Sequence, residues 1–102
     1  MELIIQSLHF TVKQELNNFV AEKVNRLSHF YNKIESAKVC LKLDKSDKTD
    51  NKVCEIRLAV PGNDLFAKRQ SATFEKATNE AVDALLQQIK KMKTKFDSQL
   101  GL

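Results

Sequence analysis

Hydrophobic positions recur along this chain with two different periods, and the switches between them mark out its elements. Residues 2–8 (Glu2 to Leu8) form a short run rich in Leu and Ile, which predicts a strand. Residues 12–31 follow a helical period. Val12, Leu16, Phe19, Val20, Val24, Leu27, Phe30 and Tyr31 gather on one side when wound at 100° per residue. Over residues 36–44 the period falls to two. Ala37, Val39, Leu41 and Leu43 alternate with Lys38, Cys40, Lys42 and Asp44, as a half-buried strand requires. Residues 53–60 alternate again, with Cys54, Ile56, Leu58 and Val60 opposed to Val53, Glu55 and Arg57. The polar stretch Lys45 to Asn51 reads as the hairpin loop between them. Pro61-Gly62-Asn63-Asp64 signals a turn into a third hairpin strand, Leu65 to Ser71.

Residues 74–96 return to the helical period, with Phe74, Ala77, Thr78, Ala81, Leu85, Ile89, Met92 and Phe96 as the apolar stripe. Glu75, Glu80 and Asp83 lie toward the start of this helix, and Lys90, Lys91, Lys93 and Lys95 toward its end. That polarity complements the helix dipole. Gly101 stands where such a helix ends or frays. The order is β-α-β-β-β-α, an α+β domain. Strands one and two flank a helical crossover and should pair in parallel; the others follow short turns and should be antiparallel. Two helices, each with one apolar stripe, suffice to cover one face of a four-stranded mixed sheet. At 102 residues the chain is expected to be one domain, 1–102, without repeats.

Composition changes this picture little. Hydrophobic residues make up 42% and charged residues 29%, an ordinary globular balance. No apolar run approaches the ~20 residues that cross a bilayer, so no membrane partner is expected. Met1-Glu2-Leu3-Ile4-Ile5 lacks a basic leader and reads as a strand, so a cytoplasmic protein with reduced thiols is expected.

Enzyme chemistry finds no footing. Two distant glycines cannot form a phosphate-binding loop, and no nucleophile elbow occurs. His9, His29, Cys40 and Cys54 share no metal-ligand spacing, so no metal or other cofactor is expected, and no small-molecule substrate. Asp44, Asp47 and Asp50 fall in the hairpin loop, where a solvated turn explains them. Cys40 lies on the outward strand face with Lys38 and Lys42, and Cys54 on the inward face with Ile56. Directly paired residues share a face, so both thiols should be free, Cys54 the more buried.

Charge is more informative. The net charge is +4. Four of the lysines fall within Lys90-Lys91-Met92-Lys93-Thr94-Lys95. Dipole complement and solubility account for one or two; four together make a field that attracts phosphates. In the first helix Lys23 falls inside the apolar stripe, between Phe19 and Leu27, and Arg26 at its edge. A snorkelling boundary lysine explains Lys23. The alternative is that Lys23 and Arg26 project into the furrow between the helices and, with the lysines of the second helix, line a positive cleft. Such contacts would fix the register of a structured RNA without reading its sequence.

The segments LNNFVAEKVNRLSHFYNKI (16–34), KVCLKL (38–43), PGNDLFA (61–67) and FEKATNEAVDALLQQIKKMKTK (74–95), in this order and spacing, carry a resemblance. The chain resembles the short form of the bacterial ribosome hibernation promoting factor and ribosome-associated inhibitor A family, also called sigma-54 modulation proteins. The resemblance covers nearly the whole chain. It implies the β-α-β-β-β-α fold, similar to a double-stranded-RNA-binding domain with an added first strand. It also implies binding to 16S rRNA in the mRNA and tRNA channel of the small (30S) subunit, in 70S ribosomes stored inactive. By position, Lys23, Arg26, Lys91, Lys93 and Lys95 match basic positions of the family, and Lys90 adds a further charge. Ala84 and Gln87 stand where relatives carry basic residues, so the middle of the second helix should touch RNA less. The residues that follow Lys95, Phe96 to Leu102, carry neither the acidic extension of the inhibitor-A type nor a start of the long form's second, dimerising domain, so the resemblance leans toward the short type as an expectation. Two readings stay open beside it. One is a generic structured-RNA-binding module. The other is a protein-interaction subunit acting through the open sheet face, where Val53 and Cys40 are expected to be exposed.

Overall fold

The computed structural model describes residues 1–46 and 49–99, the last five through their backbone alone. Its elements are β1 (Glu2–Leu8), α1 (Gln14–Asn25), α2 (Leu27–Phe30), β2 (Ser36–Leu43), β3 (Lys52–Val60), β4 (Asn63–Ser71) and α3 (Phe74–Gln99). With α1 and α2 taken as one arm, this is the expected β-α-β-β-β-α order. Gly101 and Asp47 lie outside the described residues, as do the side chains of Lys95 and Phe96.

The four strands form one sheet in the order β1-β2-β3-β4. β1 pairs with β2 in parallel, and the other two pairings are antiparallel. The register stacks the alternating residues into rows. Leu3, Ala37, Leu58 and Leu65 make one inner row, and Ile5, Val39, Ile56 and Ala67 the next. Ala37, Val39, Ile56, Leu58 and Ala67 in these rows are buried. A slip of one residue would turn every one of them to water, so the pattern fixes the register. The β3–β4 turn is tighter than its sequence suggested. Only Pro61 and Gly62 lie between the paired residues Val60 and Asn63, with Gly62 at φ +87°, where a side chain would be strained.

Both helical arms cover the inner face. α3 begins at Thr73, whose Oγ1 accepts the backbone N–H of Lys76 at 3.0 Å, an N-cap that the sequence supplies in place. Its stripe of Ala77, Thr78, Ala81, Leu85 and Ile89 is buried, while Phe74 and Met92 flank the core. The small residues Ala77 and Ala81 let the helix approach the sheet closely. The first arm buries Val20, Val24 and Leu27.

This arm differs from the single helix expected over residues 12–31. It starts at Gln14 and is interrupted at Arg26, which keeps helical angles (φ −60°, ψ −29°). The hydroxyl of Ser28 donates to the carbonyl of Asn25 at 2.7 Å, competing with the backbone ladder at the interruption. The last turn leaves the stripe as a consequence. Phe30, expected in the core, is 49% exposed.

The thiols are free. Cys40 is paired with Glu55, and Cys54 with Leu41, so they occupy opposite faces. Thr78 donates its hydroxyl to Cys54 Sγ at 3.6 Å, and burial pushes that thiol up to about 11. A disulfide reagent is therefore expected to label one thiol in the folded protein, Cys40, and the second only on denaturation. Two rapidly labelled thiols in the native state would contradict the buried placement of Cys54.

Candidate nucleic-acid interface

Cations in the last third of α3 take their places from the helix period. Gln88 Nε2 donates to the backbone carbonyl of Phe66 at 2.9 Å, so that flank of α3 faces β4. Lys93 Nζ donates to the carbonyl of Phe30 at 3.0 Å, so the other flank faces the end of α2. Residues three apart share a flank. Lys90 therefore accompanies Lys93 beside the first arm, and Lys91 accompanies Gln88 on the side of β4. Lys90, Lys91 and Lys93 are all exposed. Lys95 is in the helix, but its side chain lies outside those described. The lysine run is thus split across both flanks of α3, and the Lys93–Phe30 contact brings the ends of the two helical arms together.

Lys23 and Arg26 occupy different settings. The Lys23 side chain is half-buried, with Nζ 5.4 Å from the ring centroid of Phe19, so its stem covers apolar surface while its charge rests over an aromatic face. Arg26, at the α1–α2 interruption, is exposed and donates from Nη2 to Glu22 Oε1 at 3.1 Å. That pair is an i,i+4 surface bridge worth a few tenths of a kcal/mol. It is weak enough for a phosphate to displace. One helical turn separates Arg26 from Phe30, the residue that Lys93 reaches.

Pattern alone did not reveal the Lys93–Phe30 tie, since it joins residues far apart in sequence through a backbone carbonyl. Nor did it reveal the state of the open face. Val53, expected there as an exposed apolar residue, is only 1% exposed. Its row neighbours are Lys42 and Gln70. Glu55 Oε2 holds Lys42 Nζ at 2.5 Å and Lys68 Nζ at 3.8 Å, and Gln70 Nε2 donates to the Asp50 carbonyl at 2.6 Å. Long polar side chains thus close over the valine. Cys40 is half-buried. These two residues offer no apolar docking patch.

The hairpin loop keeps its negative charge. The backbone N–H and hydroxyl of Ser46 both bond Asp44 Oδ1, at 2.9 and 2.7 Å, and hold that carboxyl below its usual range. A depressed carboxylate contributes stability above its ordinary pKa and loses it as pH falls. At neutral pH Asp44 is therefore ionised. Among the described residues, no cluster of three or more His, Cys, Asp or Glu is placed to hold a metal, and no helix is long and apolar enough to cross a membrane.

A two-layer α+β domain with lysines at the joined ends of its helices is the class of molecule these features define, and solved structures share its fold. A ribosomal subunit interface protein from Coxiella burnetii superposes with a TM-score of 0.82 over 92% of this chain and 99% of that one, at 17% identity. The N-terminal domain of Protein Y from Thermus thermophilus gives 0.77 over 90% and 99%, at 24% identity. The chain itself belongs to the Sigma 54 modulation protein / S30EA ribosomal protein family, whose model matches residues 3–97. Among its relatives, a ribosome hibernation promoting factor of Pseudomonas putida is 32% identical over 98% of this chain and 94% of its own length. A ribosome hibernation promotion factor of Deinococcus radiodurans is 31% identical over 86% of this chain and 47% of that longer protein. The family is non-enzymatic, in keeping with a chain in which no catalytic constellation is legible.

Proposed function

We propose that this chain is a cytoplasmic, ribosome-associated translation inhibitor. As a single ribosome-binding domain it binds 16S rRNA in the mRNA and tRNA channel of the small (30S) subunit and promotes hibernation of 70S ribosomes. The observation that carries the reading is the contact of Lys93 with the Phe30 carbonyl. It anchors the cationic end of α3 beside the end of the first arm, so Lys90, Lys93 and Arg26 are held on one framework rather than on separate flexible segments. In this reading Lys23 adds a further cation on the first arm, Lys91 carries the basic surface around the helix toward β4, and Lys95, whose side chain lies outside those described, is a candidate contact by its place in the sequence alone. Fixed cations of this kind contact phosphates of a folded RNA and set its register, while its shape supplies specificity. The names of the relatives support the same partner.

Sedimentation of a stationary-phase lysate through a sucrose gradient tests this. The protein is expected in the 30S and 70S fractions at low salt and at the top of the gradient at high salt, because binding releases counterions from RNA. Recovery at the top at every salt concentration would sink the reading. Displacement of the bound protein by tRNA or mRNA separates channel binding from a generic affinity for structured RNA.

A further inference from the structure

The helices cover one face of the sheet; the other face carries a second set of cations that the proposed function does not use. Register orders that face into rows. One row runs Ile4, Lys38, Arg57, Phe66, from β1 across to β4. Its two middle members are like charges placed directly opposite each other on antiparallel strands, an arrangement that costs stability. The next row shows the usual remedy. There Glu55 sits between Cys40 and Lys68 and takes ion pairs with both Lys42 and Lys68. The Lys38 row has no such carboxylate within it. Among the described residues the carboxylate that Arg57 reaches is Asp64, in the row beyond, at 3.8 Å. Among the described residues no carboxylate lies within ion-pair distance of Lys38, whose side chain is exposed.

Apolar groups close the row at both ends. Ile4 is 38% exposed and Phe66 41%. The Arg57 Cζ lies 5.1 Å from the Phe66 ring centroid, so ring and guanidinium make one platform on the open face. Unpaired bases stack on surfaces of both kinds. From the strand of Lys38 to that of Phe66 is two strand spacings, about 10 Å, a span that a short stretch of extended single strand covers.

We propose that the open sheet face is a binding surface for single-stranded nucleic acid, with Lys38 and Arg57 on the phosphates and Phe66 under a base. Charge complementarity selects a polyanion. The aromatic platform selects unpaired bases over a duplex, whose bases already stack on one another. The retained like-charge pair is the cost of keeping the row open to that ligand. The site goes beyond the helix-face reading and stands whether or not that reading holds.

Fluorescence anisotropy of a labelled oligouridine with the purified full chain tests it, with a labelled RNA duplex as the comparison. Phe66→Ala is expected to weaken single-strand binding about tenfold, the ~1.4 kcal/mol of one base stack, and to leave duplex binding and the salt slope unchanged. Lys38→Gln is expected to weaken single-strand binding and to lower the magnitude of its salt slope by about one, as loss of one phosphate contact does. Both positions are exposed, so both variants should stay folded, Phe66→Ala melting close to the wild type and Lys38→Gln at or slightly above it because it relieves the like-charge pair. No single-strand binding by the wild-type chain, unaltered binding in both variants, or equal losses on single strand and duplex would each overturn the proposal. So would a self-association of the wild type, seen by sedimentation equilibrium, that Phe66→Ala abolishes, since that would assign the face to a second copy of the chain. No ribosome enters the measurement, so its failure leaves the proposed function standing.

Discussion

Replacing Lys90, Lys91 and Lys93 together by glutamate is expected to abolish co-sedimentation with 30S subunits while the melting temperature falls by no more than about 4–8 °C. The two halves of that expectation have separate physical grounds. All three side chains are exposed. Among the described residues the hydrogen bond lost is that of Lys93 to the Phe30 carbonyl, on the surface, worth about 1 kcal/mol or less. Binding is a different matter. A hydrogen bond to a charged group contributes about 1.5–3 kcal/mol, so three lost phosphate contacts amount to at least ~4 kcal/mol, roughly a thousandfold in affinity. Reversal adds repulsion, because the net charge of +4 turns negative. Single reversals should grade the effect. Lys90→Glu and Lys93→Glu act on the flank facing the first arm, and Lys91→Glu on the flank facing β4. If only the first two weaken binding, RNA lies along the furrow between the arms. If Lys91→Glu alone matters, the interface lies over β4, and the furrow assignment is wrong. Retention of full binding by the triple variant would remove the basis for an interface on α3.

What pattern revealed and what it missed follow from the range over which each feature is decided. Strand alternation is local, and because the inner rows must all face the helices, Ala37, Val39, Ile56 and Leu58 were legible as core. The parallel β1–β2 pair followed from the intervening helical arm. The lysines of α3 were visible as a run, since a helix places neighbours by a fixed turn. Arg26 was not legible as an interruption, because its own angles are helical and the disturbance comes from the Ser28 hydroxyl on the Asn25 carbonyl. That interruption is also why Phe30 left the stripe that its spacing assigned it. Val53 was misplaced for a tertiary reason: its burial depends on Lys42 and Gln70 as row neighbours and on Glu55 gathering two lysines. Alternation identifies a face but does not say what lies across it. The open-face row of Lys38, Arg57 and Phe66 needed the register of three strands and so had no signature in any one segment.

Leu85→Ala is expected to cost about 2–5 kcal/mol, the loss of a fully buried leucine plus the cavity it leaves. Leu85 is 0% exposed and belongs to the cluster of Ala77, Ala81 and Ile89 that seats α3 on β3 and β4. Ala81, one turn before Leu85, is too short to swing into the gap, so collapse around the cavity should be limited and the cost should fall in the upper part of that range. A domain of this size has about 5–15 kcal/mol in total, and each kcal/mol shifts the midpoint by about 4–8 °C. Thermal unfolding followed by circular dichroism should therefore move down by more than 10 °C. Ile89→Val removes one methylene at the same seat and should cost only about 0.5–1.5 kcal/mol. The pair also separates stability from function. Below its melting temperature the Leu85→Ala protein should still sediment with ribosomes, since Lys90, Lys91 and Lys93 are exposed on the flanks of α3 and none of them belongs to the buried seat. Loss of binding in a variant that remains folded would mean that the precise depth of α3 on the sheet, and not merely its charge, sets the interface. A midpoint shift under 3 °C would show that α3 is held by contacts other than this buried stripe.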